Sequence, residues 1–103
     1  MNKTTILQYL TQAKDHYRDE GLIIKGLFGS YSRDEADEHS DIDVLIEATP
    51  QFAQRYGFGA FRRLEAIRKE MSCSLDNISV DFADSSGMGA AAKEYIIDRA
   101  IYV

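Results

Sequence analysis

GSYSRDEADEHSDIDVLIE, residues 29–47, decides how this chain is read. Just before it, LIIKGLF, Leu22 to Phe28, is rich in branched and aromatic residues and bounded by Gly21 and Gly29, which predicts a buried strand. Gly29 and Ser30 end that strand abruptly, and the polar YSRDEADEHS suits a short helix or turn. DIDVLIE, Asp41 to Glu47, alternates and then turns continuously apolar, as a strand does on entering a core.

The chemistry sits where the second strand begins. Residues two apart on a strand project to the same face, with α-carbons about 6.5 Å apart, so the carboxylates of Asp41 and Asp43 can converge. Positions i and i+2 of a helix diverge, which makes strand placement part of the reading. Two-metal sites hold their ions about 3.5–4 Å apart, and hard cations such as magnesium prefer carboxylate oxygens and substrate phosphates. Gly29 lets backbone pass close to a phosphate, and Ser30 at a helix start offers a hydroxyl and an N–H to an anion. Arg33, one turn on, adds a charge-assisted contact. A Gly-Ser pair alone carries no weight, because such turns are everywhere.

Farther out, Ile6, Leu10, Ala13 and Tyr17 recur at helical spacing between Thr4 and Glu20, with Gly21 as the stop. Thr49 and Pro50 read as a loop closing the second strand. From Phe58 to Met71 the residues Phe61, Leu64, Ile67 and Met71 form the apolar stripe of a second long helix, with Arg62, Arg63, Arg68 and Lys69 on its wetter side. In ISVDFAD, Ile78, Val80 and Phe82 face one way and Ser79 and Asp81 the other. Asp81 interrupts an apolar strand and is the candidate third carboxylate, with Asp84 the competitor in another register. SSGMGAAA reads as a flexible run, and KEYIIDRAIYV as helical turns or a final extended piece.

Composition sets the bounds. A chain of 103 residues suits one domain, 1–103, with one core and no room for a separate acceptor platform. Hydrophobic residues at 45% and charged residues at 28% argue against disorder. A net charge of -5 has the wrong sign for a protein that grips phosphate backbones, so no nucleic-acid partner is expected. No window is long and apolar enough for a membrane span and the start lacks a signal-peptide core, which predicts a cytoplasmic protein. The lone Cys73 excludes an internal disulfide and reads as a small hydrophobe.

Taken together, GSYSRDEADEHSDIDVLIE and the later SVDF resemble the nucleotidyltransferase superfamily of DNA polymerase beta and kanamycin nucleotidyltransferase. The length and the ending resemble its minimal nucleotidyltransferase (MNT) antitoxins. The family pattern of Gly-Ser, a polar segment often with Arg-Gly, Ser-Asp-x-Asp and a later single Asp maps onto Gly29, Ser30, Arg33, Ser40, Asp41, Asp43 and Asp81. Asp34 stands where the family often has Gly. The resemblance implies an α/β (α+β) fold, a small mixed β-sheet with helices mainly on one side. It further implies Asp41, Asp43 and Asp81 as catalytic and metal ligands, and Gly29, Ser30, Arg33 and Ser40 as nucleotide-binding residues. Two magnesium ions, or manganese in their place, would serve with ATP as substrate. The implied reaction moves AMP from ATP to a tyrosine of a companion HEPN-domain ribonuclease toxin in a hetero-oligomer.

Blander readings stand beside these. Aspartates at a strand entrance are commonly just solvated, Ser30 can be a plain helix N-cap, and exposed His39 is an ordinary loop residue. The basic residues of the second helix read as a solvated face, and the tyrosines as core or interface aromatics. The competing function is a non-catalytic antitoxin that neutralises its toxin by complex formation. Transfer to a small molecule fits the motif but suits the length badly.

Overall fold

The computed structural model describes residues 1–103, apart from the side chain of Ile97. Helix α1, Lys3–Arg18, opens on Asn2, whose side chain accepts a hydrogen bond from the Thr5 amide, and it buries Ile6, Leu10, Ala13 and Tyr17. Gly21, at φ +89°, turns the chain into strand β1, Leu22–Phe28, the bounds that its flanking glycines predict. A 3-10 turn, Ser30–Arg33, leads on toward β2, Ile42–Ala48, one residue later than the expected start at Asp41. The expected loop at Pro50 is instead a short helix, α2, Pro50–Tyr56, with proline in the first turn, where its missing N–H costs nothing. Helix α3, Ala60–Ser74, strand β3, Val80–Asp84, helix α4, Ala90–Ile97, and the two-residue strand β4, Ile101–Tyr102, complete the chain.

The sheet is mixed, in the order β3-β2-β1-β4. β1 runs antiparallel to β2 and to β4, while β2 and β3 run parallel. Parallel neighbours need a crossover, and α2 with α3 supplies it. A bulge lies between Ile24 and Gly26, where Lys25 forms an ion pair of 3.0 Å with Glu47. Gly26 is required there, because a β-carbon would come within 2.3 Å of the Ile101 carbonyl oxygen of β4. The tail thus takes both expected forms in turn, a helix and then an extended piece.

One core holds the fold together. Ile6, Leu10 and Tyr17 of α1 meet Leu22, Ile24 and Leu27 of β1, Ile42, Val44 and Ile46 of β2, and Ile67, Met71 and Leu75 at α3. Each fully buried aliphatic side chain contributes roughly 1.5–3 kcal/mol by leaving water. Two residues depart from expectation. Phe61 leaves the apolar stripe and is 75% exposed, whereas Ile67, Met71 and the following Leu75 are buried and Leu64 packs against the core from its edge. Cys73 is exposed, since it lies on the outward side of the helix between Met71 and Leu75.

A polar network ties the helices at the end of the core. Arg63 makes a forked contact with Glu20, 2.7 Å from Nε to Oε1 and 2.8 Å from Nη2 to Oε2, and reaches Glu70 at 3.4 Å. Tyr56 donates to Glu20 and Tyr17 donates to Glu70 at 2.6 Å. Arg63 therefore fastens the end of α1 to α3 rather than belonging to a solvated basic face. The guanidinium holds the Glu20 carboxyl at about 2, well below the usual range, and burial pushes the Tyr17 phenol well above its ordinary value.

Candidate active site

β2 carries Asp43 between two neighbours that define the site. On one side it pairs with Phe28, the last residue of β1, directly before Gly29. On the other it is the Cα partner of Asp81 in the parallel ladder with β3. Residues directly paired across a ladder project to the same face, so the two carboxylates lie side by side. Asp41 immediately precedes β2 and is exposed, which places it at the strand entrance.

Crowding these acids together has an electrostatic consequence. Asp43 has its proton affinity raised, first by partial burial and then by the charges of Asp81 and Asp41, with Arg33 pulling the other way. Asp81 is raised by partial desolvation and by Asp41 beside it, against the pull of Arg68. Three carboxylates in one neighbourhood repel one another, and a hard divalent cation relieves that repulsion. The donor chemistry therefore fits magnesium or manganese. Among the described residues, no three histidine, cysteine, aspartate or glutamate side chains are gathered tightly enough to clasp an ion as they stand.

Gly29 adopts φ +76°, ψ -160°, a conformation open essentially to glycine, and it caps the 3-10 turn. The cap position is thus Gly29 and not Ser30, and no side chain caps the turn. Ser32 donates to the Gly29 carbonyl at 2.6 Å. Ser30 follows at the first position of the turn, directly after the glycine that packs against Asp43. Asp34 ends the turn at φ 57°, ψ 34°, the left-handed region. A glycine would be at ease there, and aspartate is among the few other residues that tolerate it. Asp34 pairs with Lys3 at 3.1 Å and not with Arg33, whose Nε instead contacts Glu35 at 3.0 Å.

Ser40 makes its hydrogen bonds within its own loop. Its hydroxyl accepts from the Asp37 amide at 2.9 Å and donates to the Asp37 carboxylate at 3.2 Å, closing the loop before Asp41. His39 is exposed on the same loop. Asp84 serves the backbone: its Oδ1 accepts from the amides of Ala48 and Ser86 and from the Ser86 hydroxyl. Of the two competing carboxylates, Asp81 is the one in register with Asp43.

Arg68 went unread in the sequence, where it stands among the wet-face cations. Its Nη1 donates to the Val80 carbonyl at 3.2 Å and lies 4.0 Å from Asp81 Oδ1, and its Nη2 meets Glu65 at 2.5 Å. The available signal is its spacing from Phe61 and Leu64, which puts an arginine on the same side of the helix as two apolar residues.

Comparison with known proteins agrees with this architecture. A family model described as a nucleotidyltransferase domain matches residues 10–103. No curated protein sequence matches the chain. Among solved structures, one assigned as a minimal nucleotidyltransferase superposes with a TM-score of 0.73 at 23% identity, over 100% of this chain and 97% of that one. A toxin–antitoxin crystal structure with AMP-PNP superposes with a TM-score of 0.60 at 19% identity, over 90% of this chain and 70% of that one. At such identities the likeness is one of fold.

Proposed function

The chain belongs to the nucleotidyltransferase domain family, and from that premise we propose that it is an antitoxin-type adenylyltransferase that moves AMP from ATP to a tyrosine of a partner HEPN ribonuclease toxin. The observation that carries the reading is the Asp43–Asp81 pairing next to Gly29. Support for the partner class comes from the toxin–antitoxin structure with AMP-PNP, whose fold this chain shares.

In this reading Asp41, Asp43 and Asp81 hold magnesium, which when bound neutralises phosphate charge and lowers the proton affinity of the acceptor hydroxyl. Gly29 and Ser30 offer their backbone to the triphosphate, Arg33 supplies positive charge next to it, and Ser40 keeps the preceding loop closed. The tyrosine oxygen attacks the α-phosphorus in line, a new O–P bond forms, and the bond to pyrophosphate breaks. Asp81, the most exposed of the strand-borne carboxylates, takes the phenolic proton. Among the described residues, no helix is long and apolar enough to cross a membrane.

Incubation of the purified chain with α-labelled ATP, magnesium and the companion toxin tests this. Label on a toxin tyrosine, lost with Asp41→Asn, is the expected result; absence of label, with Asp41→Asn indistinguishable from wild type, overturns it.

A second reading, neutralisation by binding alone, draws on the large apolar side chains left in solvent, Phe58, Phe61 and Tyr95. It requires the Asp43→Ala protein to protect cells from the toxin as fully as wild type at equal abundance, whereas transfer requires that protection to fail.

A further inference from the structure

The order of the strands gives the site two distinct flanks. Gly29 and Ser30 lie on the β1 side of Asp43, and Asp81 lies on the β3 side. β3 is an edge strand, so nothing in the sheet lies beyond Asp81. In-line displacement needs the attacking and leaving oxygens on opposite sides of the phosphorus. If the triphosphate lies at Gly29, the acceptor must enter from the Asp81 flank.

A groove of about 400 Å³ opens on that flank, between α3 and β3. Phe61, Leu64 and Phe82 give its lining apolar surface, and Asp81, Asp84, Glu65 and Arg68 give it polar groups. The buried Nε of Arg68 has no hydrogen-bond partner among the described residues. Phe61 of the groove and Phe58, three residues earlier, are both large apolar side chains left in solvent.

We propose that this groove is the acceptor subsite, and that it seats a tyrosine presented by a protein partner, with the ring against Phe61, Leu64 and Phe82 and the hydroxyl at Asp81. The proposal rests on the transfer reading above and gives the acceptor its place. The chemistry is complementary: the apolar lining takes a neutral ring, and the carboxylate accepts an O–H while repelling an anion. Phe58 and Phe61 supply the wider contact that a protein segment makes around such an anchor.

The test is NMR on the full-length, isotope-labelled chain, titrated separately with N-acetyl-tyrosinamide, N-acetyl-serinamide and AMP-PNP with magnesium. Tyrosinamide is expected to shift Leu64 and Phe82 saturably, and serinamide to leave them unmoved. Phe61→Ala, at an exposed position where folding is safe, should weaken tyrosinamide about threefold to tenfold, the scale of one aromatic contact; Tyr95→Ala should not. Four outcomes overturn the proposal: no shift at the solubility limit, shifts centred elsewhere, equal binding by Phe61→Ala, or AMP-PNP occupying the groove. Failure of AMP-PNP to perturb Gly29 and Ser30, with tyrosinamide still in the groove, sinks the transfer reading and leaves the aromatic subsite standing.

Discussion

Gly29 is packed against Asp43 so closely that a β-carbon at position 29 would fall 2.1 Å from Asp43 Oδ2 and 3.0 Å from its Cγ. Two constraints thus coincide on one residue, a backbone conformation that side chains avoid and a neighbour whose carboxylate fills the space. The Asp43 side chain can swing away, so the fold has an escape that the site lacks.

Gly29→Ala is therefore expected to cost about 1–3 kcal/mol of stability, the scale of forcing a side chain into that backbone region. Its transfer activity should fall well beyond what the lost stability explains, because the carboxylate is displaced. Thermal melts read alongside initial rates at a temperature where the variant is fully folded check this. Full activity in a folded Gly29→Ala protein would contradict it.

Neutralising one of the clustered acids should stabilise the metal-free protein. Asp43 and Asp81 both have raised proton affinity in the fold, so each ionised carboxylate opposes folding, and stability gained by protonation appears as pH falls through the raised value. Asp43→Asn removes one charge and is expected to melt higher than wild type in chelator at neutral pH. Magnesium should raise the melting temperature of wild type and do little for Asp43→Asn. A melting temperature in chelator equal to or below wild type would count against the repulsion.

The Glu20–Arg63 contact should show in acid. Glu20 has its folded value lowered to about 2, so its contribution is complete above the ordinary carboxylate value and is lost as pH falls from there toward 2. With its side chain only 13% exposed, the loss is on the order of 2 kcal/mol. Urea titrations between neutral pH and about pH 3 should show a slope that Glu20→Gln flattens. An unchanged slope would assign the acid sensitivity elsewhere.

Asp34 offers a backbone test. Asp34→Gly relaxes the left-handed conformation but loosens the unfolded chain and gives up an exposed ion pair with Lys3, and these effects should cancel to within about 0.5 kcal/mol. Asp34→Val, branched at Cβ, should cost at least about 1 kcal/mol. Chemical denaturation of the pair decides it, and equal stabilities would refute the conformational account.

How far the sequence could be read depended on how local each cause was. Leu22–Phe28 was legible because glycines bracket an apolar run, whereas the choice between Asp81 and Asp84 waited on the register of β3 beside β2, which alternation within one strand does not fix. Pro50 was misread because proline both closes loops and opens helices. Phe61 fits the helical stripe, yet whether a stripe residue is buried depends on what other elements pack over it, which no spacing encodes. Arg63 and Arg68 look like a solvated face because their partners, Glu20 and the Val80 carbonyl, come from other elements. The glycine usual at position 34 becomes intelligible only once the left-handed turn is seen.

The parallel pairing of β2 with β3 also gives the site a history. Gly29, Asp41 and Asp43 belong to the first half of the chain, whereas Asp81 joins them only after α2 and α3 have carried the chain across the sheet. A long-range pairing of this kind forms late, after the entropy of closing the intervening chain has been met. Asp81 therefore stands beside Asp43 only once β3 has paired with β2, so the cluster of three carboxylates is complete only when that crossover has closed.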